Sequence, residues 1–139
     1  MKTMIAIGAM LLASLAHAQA TDEVALAQQL INRHFDLWND RSDAHWDGKL
    51  RQVYTADVLV ADYGGLATGY ADIVRLIERV QSDHAGFVFT PDPVAWNHGV
   101  GRVTWNYGPQ DNPRQIHGED IFTVRDGKLA SLRVFIDKK

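Results

Sequence analysis

Three ionisable side chains occupy positions whose neighbours are apolar. The first is in His117-Gly118-Glu119-Asp120-Ile121-Phe122-Thr123-Val124. Read as a strand, alternate residues share a face, so Asp120 points the same way as Phe122 and Val124. A carboxylate on a core face must be paired or take up a proton, because ionised burial is costly. The second is Asp62, which ends Asp57-Val58-Leu59-Val60-Ala61-Asp62 and shares parity with Val58 and Val60. Leu59 and Ala61 make the other face apolar too, so the side that meets the core is open. The third is His34. It lies within an apolar helical arc of roughly 180° made by Val24, Leu26, Ala27, Leu30, Ile31, Phe35, Leu37 and Trp38.

Such groups can do acid/base chemistry. Two carboxyls in one apolar enclosure push their pKa values apart, leaving one base and one acid. That suits removal of a proton beside a carbonyl, with a donor holding the enolate oxygen. His34 could be that donor or an acid/base itself. Each residue also has a structural reading. His34 reads as a core histidine with one hydrogen bond. Asp57 and Asp62 read as capping and turn residues. Asp120 reads as an acceptor for Trp105, Tyr107 or His34 that locks the sheet. His117 has the opposite parity and points away from Asp120.

Other chemistries find no motif. His34, His45, His84, His98 and His117 show no metal-ligand spacing, and the chain contains no cysteine. No phosphate loop, dinucleotide fingerprint or Gly-x-Ser-x-Gly is present. No metal or other cofactor is expected.

The elements that must carry these residues follow from hydrophobic period. Lys2, the apolar run Met4–Leu15 and the small-x-small site Ala16-His17-Ala18 read as a secretory signal peptide. Cleavage is expected after Ala18, or less favourably after Ala20; the alternative is a buried N-terminal helix. The run is too short to span a bilayer. Loss of residues 1–18 removes one lysine and takes the net charge from −3 to −4. No basic patch appears, so nucleic acid is not an expected partner. The remaining 19–139 is sized for one domain.

Thr21 or Asp22 is expected to cap a helix ending near Trp38. Ser42 or Asp43 is expected to cap a second, with Trp46, Leu50, Val53 and Tyr54 as its stripe and Gly48 weakening it. The strand 57–62 ends at Tyr63-Gly64-Gly65. A third helix follows Gly69, burying Ile73, Leu76, Ile77 and Val80 and wetting Arg75, Glu78 and Arg79. From Gly86 the chain reads as strands: one with Phe87 and Phe89, then 94–97, 100–107, 116–124 and 129–136. His98-Gly99 and Asp126-Gly127 are hairpin turns. Helices first and an antiparallel meander last define an α+β domain, a curved antiparallel sheet wrapped around N-terminal helices to form a cone-shaped pocket.

In that order the chain resembles the nuclear transport factor 2-like superfamily, in its SnoaL-like and ketosteroid-isomerase-like branch. The resemblance rests on Leu37-Trp38-Asn39, Tyr54-Thr55-Ala56-Asp57-Val58, Ala61-Asp62 with its glycine turn, Gly69 and Ile73. It continues through Gly86-Phe87-Val88-Phe89, Trp105, Gly108-Pro109, Gly118-Glu119-Asp120, Asp126-Gly127-Lys128 and Phe135. It implies a cystatin-like roll and no single reaction, because the fold hosts isomerases, cyclases, dehydratases and non-enzymes. By resemblance Asp62 matches the general base at the end of the first strand. Asp120 matches the proton-donating Asp of the penultimate strand, which serves as acid/base in the cyclases. His34 stands where the isomerases carry a first-helix Tyr, and Asp62-Tyr63 replaces the usual Asp-Pro.

The resulting expectation is a secreted or periplasmic protein that binds a small apolar compound. Asp120, Asp62 and His34 are its catalytic residues, for isomerisation, cyclisation or dehydration of a carbonyl compound. Trp38, Tyr63, Phe89, Trp105 and Phe122 are its substrate-binding side chains. The alternative is a non-catalytic binding or dimerisation module of the same fold. A homodimer is expected, and no membrane insertion after cleavage.

Overall fold

The computed structural model describes residues 6–42 and 46–137, with side chains from residue 15. Asp43, one of the two expected caps, and His45 lie outside the described residues, as does the start of the expected signal segment.

Helix α1 runs Ala6–Asn39, α2 Asp47–Val53 and α3 Gly69–Asp83. The strands are β1 Tyr54–Asp62, β2 Gly65–Thr68, β3 Val88–Pro91, β4 Ala95–Asn97, β5 Val100–Gly108, β6 Ile116–Arg125 and β7 Lys128–Ile136. They form one curved, unclosed sheet in the order β2-β1-β7-β6-β5-β3, with β4 on the end of β5. The helices cover its concave face, so the architecture is α+β, as expected. The sheet is mixed rather than antiparallel throughout. β1 and β7 run parallel, with Val60 opposite Leu132. A parallel pair needs a long crossover, and here most of the domain separates the two strands.

Several local expectations change. Helix α1 does not start at Thr21 or Asp22; in the full chain it continues from the preceding segment, and the Thr21 hydroxyl donates back to the His17 carbonyl at 2.9 Å. Its buried arc begins at Ala27; Val24 and Leu26 are exposed at the end that meets only the short β4, whose Trp96 indole N–H donates to Glu23 at 3.1 Å. Ser42 does not cap α2, whose flanking residue is Trp46; its N–H and hydroxyl donate to Asp40. Tyr54 belongs to β1, not α2. The glycines after Asp62 make a hairpin that returns as β2, pairing Asp62 with Gly65 and Leu59 with Thr68. The α3 stripe buries Ile73, Leu76 and Ile77 fully and Val80 partly, with Arg75, Glu78 and Arg79 exposed.

Two turns fix the register of the meander. His98 and Gly99 have φ of 44° and 88°, and Asp126 and Gly127 have 52° and 69°. Positive φ at both central residues matches the right-handed twist of the flanking strands. Beyond the second turn a one-residue register shift between Val124 and Thr123 brings Asp120 opposite Val134 on β7, and β5 sets Val103 opposite Asp120 on the other side. The end of α1 is pinned to the sheet edge by Asn39, whose side-chain amide donates to the Phe89 carbonyl at 3.0 Å and accepts the Phe89 N–H at 2.8 Å. Arg41 then donates to the carbonyls of Gln81, His84 and Phe87, satisfying the C-terminal end of α3. No described helix is long and apolar enough to cross a membrane.

Candidate functional site

Between α1, α3 and the concave sheet face lies a mostly apolar cavity of about 120 Å³. Strand parity brings Asp120 to its floor. Asp120 is 3% exposed, between Gly118 and Phe122 on the inward face of β6. Helical period brings His34 there from α1, also at 3% exposure. Their nearest polar atoms, His34 Nε2 and Asp120 Oδ2, are 3.7 Å apart. That is close enough for electrostatic interaction and too long for a hydrogen bond.

Two tryptophans hold this pair. The Trp105 indole N–H donates to Asp120 Oδ1 at 2.9 Å. It can do so because residue 118 has no side chain: a Cβ on Gly118 would lie 2.6 Å from the Trp105 ring. The Trp38 indole N–H donates to the Tyr54 hydroxyl at 3.0 Å, and that hydroxyl lies 2.7 Å from His34 Nδ1. Tyr54 is wholly buried at the start of β1.

The electrostatics follow from burial among apolar groups. Desolvation raises the Asp120 carboxyl to about 7; Trp105 opposes this by favouring the anion, and nearby Glu119 adds to it. Desolvation lowers His34 to about 3. The Tyr54 phenol is pushed up, chiefly by burial, with Trp38 acting the other way. At neutral pH His34 is therefore an uncharged imidazole, while Asp120 is divided between acid and carboxylate. A group poised near the working pH can both take and return a proton.

Asp62 also lines the cavity, at its rim. Its parity with Val58 and Val60 is the inward one, both of those being buried. Its oxygens are occupied: Oδ1 accepts the Gly64 N–H at 2.7 Å and Oδ2 accepts from Arg79 at 3.2 Å. Of the five apolar contacts expected, Trp38, Phe89 and Trp105 line the cavity. Phe89 stacks on Tyr107 with ring centroids 3.9 Å apart. Tyr63 and Phe122 do not line it. Tyr63 is 63% exposed in the turn beyond Asp62. Phe122 is fully buried beneath Gly101, where an added Cβ would strike its ring. One strand repeat beyond Asp120, it serves the core instead of the cavity.

Tyr54 is the residue that sequence reasoning missed here. It reads as part of the α2 stripe, and strand parity does not recover it, because β1 is irregular between Tyr54 and Leu59 and Ala56, of the same parity, is exposed. His84 also lines the cavity, its Nδ1–H donating to the Val80 carbonyl at 3.2 Å. Among the described residues no group of three or more His, Cys, Asp or Glu side chains could hold a metal ion.

A cone of this shape, with a sheet wrapped on helices around an apolar cavity, defines the cystatin-like, nuclear transport factor 2-like class. The SnoaL-like domain model matches residues 31–132, more than half of the chain, and the chain belongs to that family. Among solved structures it is similar to a candidate isomerase of the SnoaL-like family from Agrobacterium tumefaciens, with a TM-score of 0.75 and 16% identity over 82% of this chain and 99% of that one. A candidate polyketide cyclase from Sinorhizobium meliloti gives 0.63 and 19% over 76% and 93%. A candidate ketosteroid isomerase from Kribbella flavida gives 0.64 and 19% over 83% and 80%. At such identities the likeness is one of fold. No curated protein sequence matches the chain.

Proposed function

We propose that this protein binds a small apolar carbonyl compound and isomerises it, or cyclises or dehydrates it, by acid/base chemistry without a cofactor. The observation that carries the proposal is the buried Asp120–His34 pair on the floor of an apolar cavity, with the Asp120 carboxyl near 7. The Asp120 carboxylate removes a proton from the carbon beside the carbonyl. The electron pair moves onto the carbonyl oxygen, which an imidazole N–H of His34 holds. The Asp120 acid then returns the proton to a different carbon, and the double bond has moved. Asp62 stands at the rim, its oxygens held by the Gly64 N–H and Arg79. The size of the cavity favours a single ring, since a dry cavity of about 150 Å³ takes up benzene. The SnoaL-like isomerase and cyclase names among the similar structures support the class of reaction.

The test is conversion of cyclohex-3-enone to cyclohex-2-enone, followed by ultraviolet absorbance. The wild type is expected to accelerate it, and Asp120→Asn to lose about 10²–10⁴-fold of that rate. Equal rates in the two proteins would sink the proposal. The engagement of Asp62 by Arg79 and Gly64 favours a second reading, a binding module without turnover. That reading requires saturable binding of cyclohex-2-enone with no isomerisation and no exchange of its protons in D2O.

We also propose that residues 1–18 are removed by cleavage after Ala18, with Ala20 as the second choice, and that the protein is periplasmic or secreted. The support is the run from Lys2 to Ala18. N-terminal sequencing of protein from the periplasm or medium decides it. A homodimer is proposed from the fold's habit and from Val88 and Phe135, exposed on the outer sheet face; a monomer by sedimentation at micromolar concentration would exclude it.

A further inference from the structure

The side chains behind His34 determine which of its nitrogens carries the proton. The Trp38 indole can only donate, and it lies 3.0 Å from the Tyr54 oxygen. Tyr54 therefore accepts from Trp38. His34 Nδ1 is 2.7 Å from the same oxygen, and two arrangements fit that distance. If His34 Nδ1–H donates, Tyr54 accepts twice and its own O–H is left without an acceptor in a fully buried position. If Tyr54 donates to a bare Nδ1, the hydrogens of Trp38 and Tyr54 are used, and the one left over sits on Nε2, where His34 opens on the cavity and faces an Asp120 oxygen instead of being sealed in the packed interior. Buried donors without acceptors are strongly disfavoured.

The second arrangement places the imidazole proton on Nε2, the nitrogen that faces Asp120 across the cavity floor. Asp120 Oδ2 is 3.7 Å away, and among the described residues no other acceptor is recorded for Nε2. Asp120 Oδ1 is already taken by Trp105. An N–H and a carboxyl oxygen thus face one cavity, each with hydrogen-bonding capacity that the protein leaves unused. A ligand oxygen that accepts a hydrogen bond completes His34.

We propose that Tyr54 is a positioning residue that holds His34 as the neutral Nε2–H tautomer, so that the ring presents a hydrogen-bond donor to a carbonyl oxygen seated beside Asp120. The ligand half of this rests on the acid/base reading of the cavity; the tautomer does not. Tyr54 touches no ligand and acts through His34, and Trp38 orients Tyr54 in turn.

The experiment is long-range 1H–15N correlation of the His34 ring in the ligand-free protein at neutral pH. The expected result is a protonated Nε2 and a bare Nδ1. A proton on Nδ1 overturns the proposal, whether or not the protein has any activity. Tyr54→Phe keeps the ring and removes the hydroxyl. It is expected to shift the tautomer towards Nδ1–H and to weaken cyclohex-2-enone binding about tenfold, the loss of roughly one hydrogen bond, while binding of cyclohexene is unchanged. Equal weakening of both probes would mean that Tyr54 only supports the cavity walls, and would overturn the positioning role. Should the wild type bind neither probe, the proposed function fails while the tautomer measurement still stands.

Discussion

Two aspartates line the same cavity, one at its floor and one at its rim. Both end up inward by strand parity, and both neighbour an apolar core. Around Asp120 the nearest groups are uncharged: an indole N–H, an imidazole in its neutral form and apolar side chains. Only the Trp105 N–H offsets the lost hydration, and burial outweighs it, so the carboxyl keeps its proton up to about pH 7. Around Asp62 the chain supplies a turn N–H and the Arg79 guanidinium. The comparison teaches that the face a residue points to does not set its chemistry. What sets it is whether a cation or only dipoles reach it.

Exchanging each carboxylate for its amide should separate the two most widely. Asp120→Asn is expected to remove about 10²–10⁴-fold of an isomerase rate. Asp62→Asn, whose amide oxygen can still accept the Gly64 N–H, is expected to cost less than tenfold. Equal losses would erase the distinction between floor and rim.

The pH dependence of stability sharpens the same contrast within the floor. The folded pKa of Asp120 is raised from 3.8 to about 7, so its contribution is full below about pH 4 and is lost as pH rises through 7. His34 is lowered from 6.5 to about 3, so its contribution is full above about pH 6.5 and is lost as pH falls through 3. In the wild type the two slopes oppose each other between about pH 4 and 6.5. Urea titrations should therefore show Asp120→Asn losing stability towards acid and His34→Gln losing it towards neutrality. Each slope reaches about 1.4 kcal/mol per pH unit at most. Parallel pH profiles for the two variants would contradict the assignment of opposite shifts.

Gly118→Ala pushes a Cβ into both the Trp105 ring and the Phe135 carbonyl oxygen, each 2.6 Å away. A loss of about 1–3 kcal/mol is expected from overpacking, together with a further rise of the Asp120 pKa as its indole donor moves away, readable by carboxyl 13C titration. At the rim the Arg79–Asp62 pair is solvent-exposed on the arginine side. Arg79→Ala should cost only about 0.2–1 kcal/mol; a loss several times larger would show that the rim is more tightly coupled to the core than its exposure indicates.

The amino-acid sequence by itself determined the inward face of Asp120, through the alternation of Gly118, Asp120 and Phe122, and the hairpin at Asp126-Gly127; the one-residue register shift between Val124 and Thr123 came only with the structure. It determined the apolar arc that includes His34, the buried stripe of α3, and the order of helices before strands. These are local properties: a period of two or 3.6 states which residues share a face. Tertiary structure decided the rest. The parallel pairing of β1 with β7 joins residues far apart in the chain. Arg79 reaches Asp62 from a helix that period alone marks only as wet. Phe122 and Trp105 both face inward, yet the curvature of the sheet puts Trp105 on the cavity and Phe122 in the core. Tyr54, at the junction of α2 and β1, is not recovered by strand parity. Only the packing of α1 across the sheet brings its hydroxyl to His34, because a periodic pattern specifies a direction and not the partner found there.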